Sequence, residues 1–179
     1  MIRLLAATAL ALALATPLSA QHAPDVTTEF DSVRHRTIVT MAKVPLDREH
    51  ELGAFYEYNG REQQAAVPEF TLHFVHMGAQ WAYIYAGDPV LLLDDRTRMP
   101  LTRVTRAMKA GNGYVLEQMF LFISLAQASQ IAQAHKVAMA VGTNQFVWSD
   151  SLHGAFRHMT AVAERRERAS DVQGAELGR

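Results

Sequence analysis

The stretch E-F-T-L-H-F-V-H-M, residues 69–77, alternates large apolar residues with polar or smaller ones. Phe70, Leu72 and Phe74 share one face of an extended chain, and the residues between them lie on the other face. Alternation with a period of two is typical of a half-buried β-strand. Gly78 follows and allows the chain to turn. This stretch therefore predicts a strand with one face in the core.

Residues 81–86 alternate in the same way, with Trp81, Tyr83 and Tyr85 on one face. We expect this segment to return as the antiparallel partner of 69–77. Further short stretches have strand composition and are bounded by turn residues, as in sandwiches and curved sheets. They are residues 34–44, 52–58, 61–67, 90–93, 99–107, 114–123, 137–141 and 145–148.

Two segments late in the chain predict helices. Ser124 and Gln127 have the spacing of a capping box, which begins a short helix at about residue 125. Ser149 or Asp150 caps a second helix, which has an apolar stripe at helical spacing. The sequence thus predicts a mainly β fold, a β-sandwich or curved antiparallel sheet with one or two short C-terminal helices.

The first twenty residues have the layout of a secretory signal peptide. Arg3 precedes an apolar run at 4–15, and Leu18-Ser19-Ala20 ends the segment with small residues. We expect cleavage after Ala20 and a periplasmic or secreted product. A retained membrane anchor is the alternative, but the run is shorter than the ~20 residues that cross a bilayer. No later segment predicts a transmembrane span.

The remaining chain divides into three parts by composition. Residues 21–29 are polar and predict a flexible segment, residues 30–168 a single mainly β domain, and residues 169–179 a disordered tail. The chain contains no cysteine, so no disulfide stabilises it. Removing residues 1–20 leaves 16 basic and 18 acidic residues. Because nucleic-acid binding needs a clustered basic face, we expect no nucleic-acid partner.

Aromatic side chains and one carboxylate are the candidates for a ligand surface, because aromatic rings can stack on a sugar, peptide or lipid. A core role for the aromatic residues is the alternative. Glu117 interrupts an apolar strand, so its carboxylate must face water or find a partner. The candidates are Tyr56, Tyr58, Trp81, Tyr83, Tyr85 and Glu117.

The eight histidines do not have the spacing of a metal site. His73 and His76 are three apart in a predicted strand and so face opposite sides. His153 and His158 are five apart on a predicted helix, which separates them around its axis. The sequence predicts neither a metal nor a cofactor. It also has no recognisable nucleophile motif such as G-x-S-x-G, so catalytic residues stay unassigned.

The C-terminal half resembles a recurring layout. Its elements are a polar turn and strand at 94–101, a strand at 117–123, the helix S-L-A-Q-A-S-Q-I-A-Q-A from Ser124, and the hairpin V-G-T-N-Q-F-V-W-S before a last helix. This layout, over residues 92–162, is similar to that of small exported bacterial proteins of unknown function. The resemblance implies a β-sandwich-like domain in the periplasm and carries no catalytic residues.

Three functions are compatible with these features. Export, a strand-rich fold and the lack of a catalytic motif favour a non-enzymatic periplasmic binding or interaction module, with an envelope protein or small ligand as partner. The alternative is a small envelope hydrolase that uses a histidine and a carboxylate brought together by the fold. A third is a structural role in the envelope through the tail, residues 169–179.

Overall fold

The computed structural model describes residues 25–62, 67 and 69–177, and the side chains as far as residue 165. Two antiparallel sheets of six and four strands face each other, and two helices pack against them. The predicted mainly β, sandwich-like fold is confirmed. The predicted signal peptide and cleavage position, residues 1–20, lie outside the described residues.

The six-stranded sheet has the spatial order β1-β2-β3-β4-β8-β7. Its strands are β1 (Val26–Asp31), β2 (Arg36–Pro45), β3 (His50–Asn59), β4 (Phe70–Gly78), β7 (Val104–Gly111) and β8 (Tyr114–Ile123). The four-stranded sheet has the order β10-β9-β5-β6. Its strands are β5 (Val90–Leu93), β6 (Thr97–Pro100), β9 (Val137–Val141) and β10 (Asn144–Val147).

The core lies between the two sheets and the helices. Phe70, Leu72 and Phe74 of β4 are all fully buried, as the alternation of residues 69–77 predicts. Phe146 of β10 crosses the layer, with its ring centre 5.5 Å from that of Phe74. β4 therefore buries its inward face against the opposite sheet, and hydrophobic burial between the sheets is the main stabilising force.

Both predicted helix starts are confirmed. In α1 (Leu125–Gln133) the Ser124 side chain accepts from the Gln127 N–H, and the Gln127 side chain accepts from the Ser124 N–H. In α2 (Asp150–Leu177) the Ser149 hydroxyl accepts from the Leu152 N–H. Residues 169–177, which the sequence predicts to belong to a disordered tail, continue α2 as helix.

The largest difference from the sequence prediction is at residues 81–86, which form no strand. They belong to the crossover loop, residues 79–89, which leaves the six-stranded sheet after β4 and enters the four-stranded sheet at β5. The N–H groups of Ala82 and Tyr83 donate to the Glu117 carboxylate. Because a side chain takes these donors, they are not available to a strand ladder.

Two other boundaries also differ. Val26–Asp31 forms β1, so the segment predicted to be flexible, 21–29, ends inside a strand. The stretch 99–107 is divided between β6 and β7, which lie in different sheets. Pro100 at the end of β6 cannot donate to a ladder, which suits the point of separation. The predicted strand 61–67 lies partly outside the described residues.

Candidate functional site

Glu117 lies at an inward-facing position of β8, and only 2 % of its surface is exposed. Its Oε1 accepts from the Tyr83 N–H at 2.9 Å, and its Oε2 accepts from the Ala82 N–H at 2.8 Å. The Nδ1–H of His76 donates to the same Oε2 at 2.7 Å. A buried carboxylate is costly unless it is hydrogen-bonded, and these three donors provide that compensation.

His76 lies on β4 directly opposite Glu117, since the two are register partners. Its Nδ1 faces Glu117, so its Nε2 points the other way, 3.6 Å from the Glu49 carboxylate. The ring also passes close beneath Gly78, where a Cβ would come within 2.7 Å of Nε2. Glycine at position 78 is therefore what lets the chain cross over this imidazole.

A second histidine stacks on the first. The ring centres of His50 and His76 are 4.9 Å apart, and the two residues are register partners on β3 and β4. His50 Nδ1–H donates to Asp47 Oδ1 at 2.7 Å. Its Nε2 therefore accepts from the Tyr83 hydroxyl, also at 2.7 Å. Asn144 completes the series by donating its Nδ2–H to the Tyr83 oxygen at 2.8 Å.

The ionisation of two members follows from their surroundings. Burial raises the pKa of Tyr83, so its hydroxyl stays protonated near neutral pH. Partial burial acts to raise the pKa of Asp47, but the Glu49 N–H and the His50 ring donate to its carboxylate and bring the pKa below its ordinary value. Asp47 is thus a carboxylate and Tyr83 a neutral phenol.

We call this group the polar cluster, and it links three parts of the fold. Its members are Asp47, His50, His76, Tyr83, Glu117 and Asn144. It joins the six-stranded sheet, the crossover loop and the four-stranded sheet. Arg106 of β7 adds a further anchor, since its Nη2 donates to the carbonyls of Ala86 and Gly87 at 3.1 Å each. The loop backbone is therefore held at both of its ends.

Several side chains around this anchored backbone are exposed. Tyr85 is 93 % exposed, Trp81 39 % and Ile84 37 %. Met77 is the penultimate residue of β4, Tyr114 begins the adjacent β8, and Met108 is the register partner of Glu117 on β7. The three strand residues lie at the same end of the six-stranded sheet, Met108 on the face that carries Glu117 and Met77 and Tyr114 on the opposite face, because side chains alternate along each strand. We call these exposed residues, together with those of the crossover loop, the apolar tip: Met77, Trp81, Ile84, Tyr85, Met108 and Tyr114.

The six residues singled out from the sequence fall into three places. Trp81 and Tyr85 belong to the apolar tip, and Tyr83 and Glu117 belong to the polar cluster. Tyr56 and Tyr58 lie in the core beneath the six-stranded sheet, with their ring centres 6.4 Å apart. The fold thus does not bring the aromatic candidates into one exposed face.

Sequence reasoning missed four members of the polar cluster: Asp47, His50, His76 and Asn144. One signal was present, because His76 falls on the inward face of an otherwise apolar strand, as Glu117 does on β8. Two inward polar residues on different strands each need a partner, and each satisfies the other here. His50 and Asn144 carried no such signal, since both stand at strand ends.

The cluster contains two carboxylates, two imidazoles, a phenol and an amide. Among the described residues, no three histidine or carboxylate side chains have an arrangement that could hold a metal ion. No hydrogen bond in the described part of the chain joins His50 or His76 to a serine or threonine hydroxyl. The acid, base and phenol groups bind one another, so the cluster primarily orders the loop above it.

Two further findings bear on what this chain does. None of the described helices is both long and apolar enough to span a membrane. Comparisons with protein-family models, with curated proteins and with solved structures give no match.

Proposed function

We propose that this chain is an exported, non-enzymatic binding module of the periplasm or cell exterior, and that the apolar tip is its binding surface. The observation that carries the proposal is the concentration of exposed apolar side chains. Eight large apolar residues are exposed in the described part of the chain, and six of them belong to the apolar tip. Clustered exposed apolar groups on a folded protein are typical of interaction sites.

The composition of the tip suits recognition. Trp81, Tyr85 and Tyr114 are aromatic residues with a polar group, the side chains most enriched at protein interfaces. Met77 and Met108 add flexible side chains that adapt to the shape of a partner. An apolar partner surface, such as a hydrophobic patch of an envelope protein, would exclude water from these side chains.

The polar cluster contributes by ordering the loop before any partner arrives. Fixing a loop on binding costs conformational entropy, and a loop that is already fixed avoids this cost. Glu117 holds the backbone on the N-terminal side of Ile84, and Arg106 holds it on the C-terminal side. Buried histidines and a buried carboxylate thus support binding without catalysing a reaction.

Site-directed photocrosslinking in the bacterial envelope tests the binding surface. A benzophenone amino acid replaces Tyr85 in one variant and Val33 in the other; Val33 is 89 % exposed but stands in the β1–β2 connection, away from the apolar tip. We expect a discrete crosslinked product from position 85 and none from position 33. Adding Trp81→Ser should weaken the product. Equal labelling from both positions would contradict the proposal.

The export part of the proposal has a separate test. Expression of residues 1–179 in a Gram-negative host, followed by mass spectrometry of the periplasmic fraction, should yield a chain that begins at Gln21. Replacing Ala20 with a bulky residue should retain the uncleaved form, because the peptidase accepts small side chains there. A cytoplasmic product that keeps its leader would contradict export without affecting the binding proposal.

A second candidate function is hydrolysis, and one observation favours it. His76 and Glu117 do form a histidine–carboxylate pair, with 2.7 Å between Nδ1 and Oε2. A screen of ester, peptide and glycoside substrates tests this candidate. Turnover by the wild type that is lost in both His76→Ala and Glu117→Gln, while both variants remain folded, would support it. No turnover on any class would leave the binding module as the proposal.

A further inference from the structure

β7 forms one edge of the six-stranded sheet, because its only neighbour in the described structure is β8. It is eight residues long, pairs with β8 without a bulge, and contains no proline. Natural proteins usually protect such edges with bulges, prolines, short strands or charged side chains, and of these β7 has only the charges of Arg106 and Lys109. An edge of this length without a bulge or a proline can still pair with another strand.

The backbone groups of β7 that point away from the sheet can be identified from those that face β8. The Phe122 N–H donates to the Arg103 carbonyl, so the backbone of residue 103 faces β8. Because backbone direction alternates along a strand, residues 105, 107 and 109 also face β8. The β7–β8 hairpin agrees with this assignment, because Gly111, the last residue of β7, is odd-numbered like residue 103 and pairs with Tyr114 of β8. The N–H and C=O groups of Val104, Arg106, Met108 and Ala110 therefore point away from the sheet.

We propose that this edge pairs with the same edge of a second copy of the chain, antiparallel and centred on Ala107. The two sheets then become one continuous sheet of twelve strands across a two-fold axis. In this register Arg106 stands opposite Met108 of the other copy, and Val104 stands opposite Ala110. Each of these four residues, whose backbone groups point away from its own sheet, then pairs with one of the same four on the other copy. The interface therefore gains about eight backbone hydrogen bonds.

The side chains of β7 are compatible with this register. The strand carries two cations, Arg106 and Lys109. Lys109 stands opposite Thr105 of the other copy, so no two cations face each other directly, and Ala107 at the axis is small. The other sheet edge, β1, carries Glu29 and Asp31 instead. Both edges thus carry two charged side chains, and β7 is the longer edge, eight residues against six, so it is the edge better suited to self-association.

Pairing at β7 would also join the two binding surfaces. Met108 belongs to the apolar tip and lies on β7 itself, and Tyr114 begins the neighbouring strand. The two-fold axis therefore places the tips of both copies along one sheet. A partner with two docking segments would bind such a pair with avidity.

Sedimentation of the mature protein, residues 21–179, over concentrations up to about 100 µM tests the association. We expect a monomer–dimer equilibrium. Ala110→Pro removes one outward N–H and leaves the ladder with β8 intact, so it should raise the dimer Kd at least about tenfold. The matched control Ala110→Thr keeps the N–H and should leave Kd within a factor of about three.

A cysteine variant tests the register and does not depend on proline being tolerated. The chain has no cysteine of its own. Residues opposite each other in a non-hydrogen-bonded antiparallel pair have Cα atoms about 4.5 Å apart, which permits a disulfide. Ala107→Cys should therefore oxidise to a disulfide-linked dimer, whereas Ala161→Cys, exposed on α2, should not. A monomer at every concentration would overturn the proposal. So would a dimer whose Kd is unchanged in Ala110→Pro and that Ala107→Cys does not link by a disulfide.

Discussion

Glu117 is the residue on which the conformation of the crossover loop most directly depends. Its two oxygens accept both backbone N–H groups of the Ala82–Tyr83 segment, as well as the His76 ring. In Glu117→Gln an amide NH₂ replaces one oxygen and faces a donor, so at least one buried N–H loses its acceptor. We expect the free energy of unfolding to fall by about 2–4 kcal/mol, measured by urea denaturation.

The control for this change is Glu49→Gln. The Glu49 side chain is 58 % exposed and reaches His76 only at 3.6 Å, so its loss should change stability by less than about 0.5 kcal/mol. If both variants lost the same stability, the buried hydrogen bonds of Glu117 would not be the source of the effect.

His153 makes stability depend on pH. Burial lowers its pKa below the ordinary value of 6.5, even though its hydrogen bond to Ile131 opposes the change. The ring is neutral, since Nε2–H donates to the Ile131 carbonyl and Nδ1 accepts from Arg157. Below pH 6.5 the unfolded chain therefore binds a proton more readily than the folded one. The free energy of unfolding should fall as the pH falls through this range.

Urea denaturation at about pH 7.5 and about pH 5.5 measures this effect. His153→Gln keeps a donor for the Ile131 carbonyl and cannot titrate, so the difference between the two pH values should shrink. His73, whose pKa burial also lowers, should contribute the remainder in the same direction. A pH difference that is unchanged in His153→Gln would exclude His153 as a cause.

At the scale of elements, the conformation of the crossover loop depends on the close approach of the backbone at Gly78, the last residue of β4, to the His76 ring. A Cβ on Gly78 would lie 2.7 Å from His76 Nε2 and 3.3 Å from the Glu49 carboxylate. Gly78→Ala should displace the imidazole and loosen its bond to Glu117. We expect faster hydrogen exchange at the Ala82 and Tyr83 amides, measured by NMR or mass spectrometry.

Gly87→Ala is the matched control, because a Cβ there would meet nothing within 4 Å. It lies in the same loop and should leave the exchange rates of Ala82 and Tyr83 unchanged. Equal acceleration in both variants would mean that the loop responds to any added methyl group and not to contact with His76.

Periodicity predicted the central strands because their inward faces are buried, and that signal is local. Residues 69–77 show this clearly, as β4 buries every inward side chain. Residues 81–86 have the same alternation but form a loop, because Glu117, more than 30 residues away in sequence, takes the backbone donors. A hydrogen-bond acceptor this distant in sequence does not change the local alternation of residues, so the alternation cannot predict it.

The candidate site was predictable to a similar extent. A carboxylate in an apolar strand had to face water or find a partner, and Glu117 was identified on that ground. Its partner His76 is 41 residues away, and the pairing depends on the register between β4 and β8. The exposure of Trp81 and Tyr85 follows from the loop conformation, so it could not be read from their alternation.

At the scale of the whole molecule, the two sheets are joined by more than apolar packing. The crossover loop is anchored to the six-stranded sheet through Glu117, and Tyr83 extends from it to contact both sheets. Its hydroxyl donates to His50 on β3 and accepts from Asn144 on β10. Because the polar cluster holds the loop that carries Trp81 and Tyr85, the stability of the domain and the shape of the proposed binding surface are linked.

Removing one oxygen atom tests this link. In Tyr83→Phe the ring still fills its place in the core, but His50 Nε2 and Asn144 Nδ2 lose their shared partner. Because His50 is buried and its Nε2 is left without a donor, we expect the free energy of unfolding to fall by about 1–3 kcal/mol, with an unchanged dependence on urea concentration. Tyr85→Phe makes the same chemical change two residues away on a side chain that is 93 % exposed, and should have almost no effect. The two variants together separate the hydroxyl that joins the sheets from one that faces solvent. Similar stability losses in both would mean that the two sheets are held together without the Tyr83 hydroxyl.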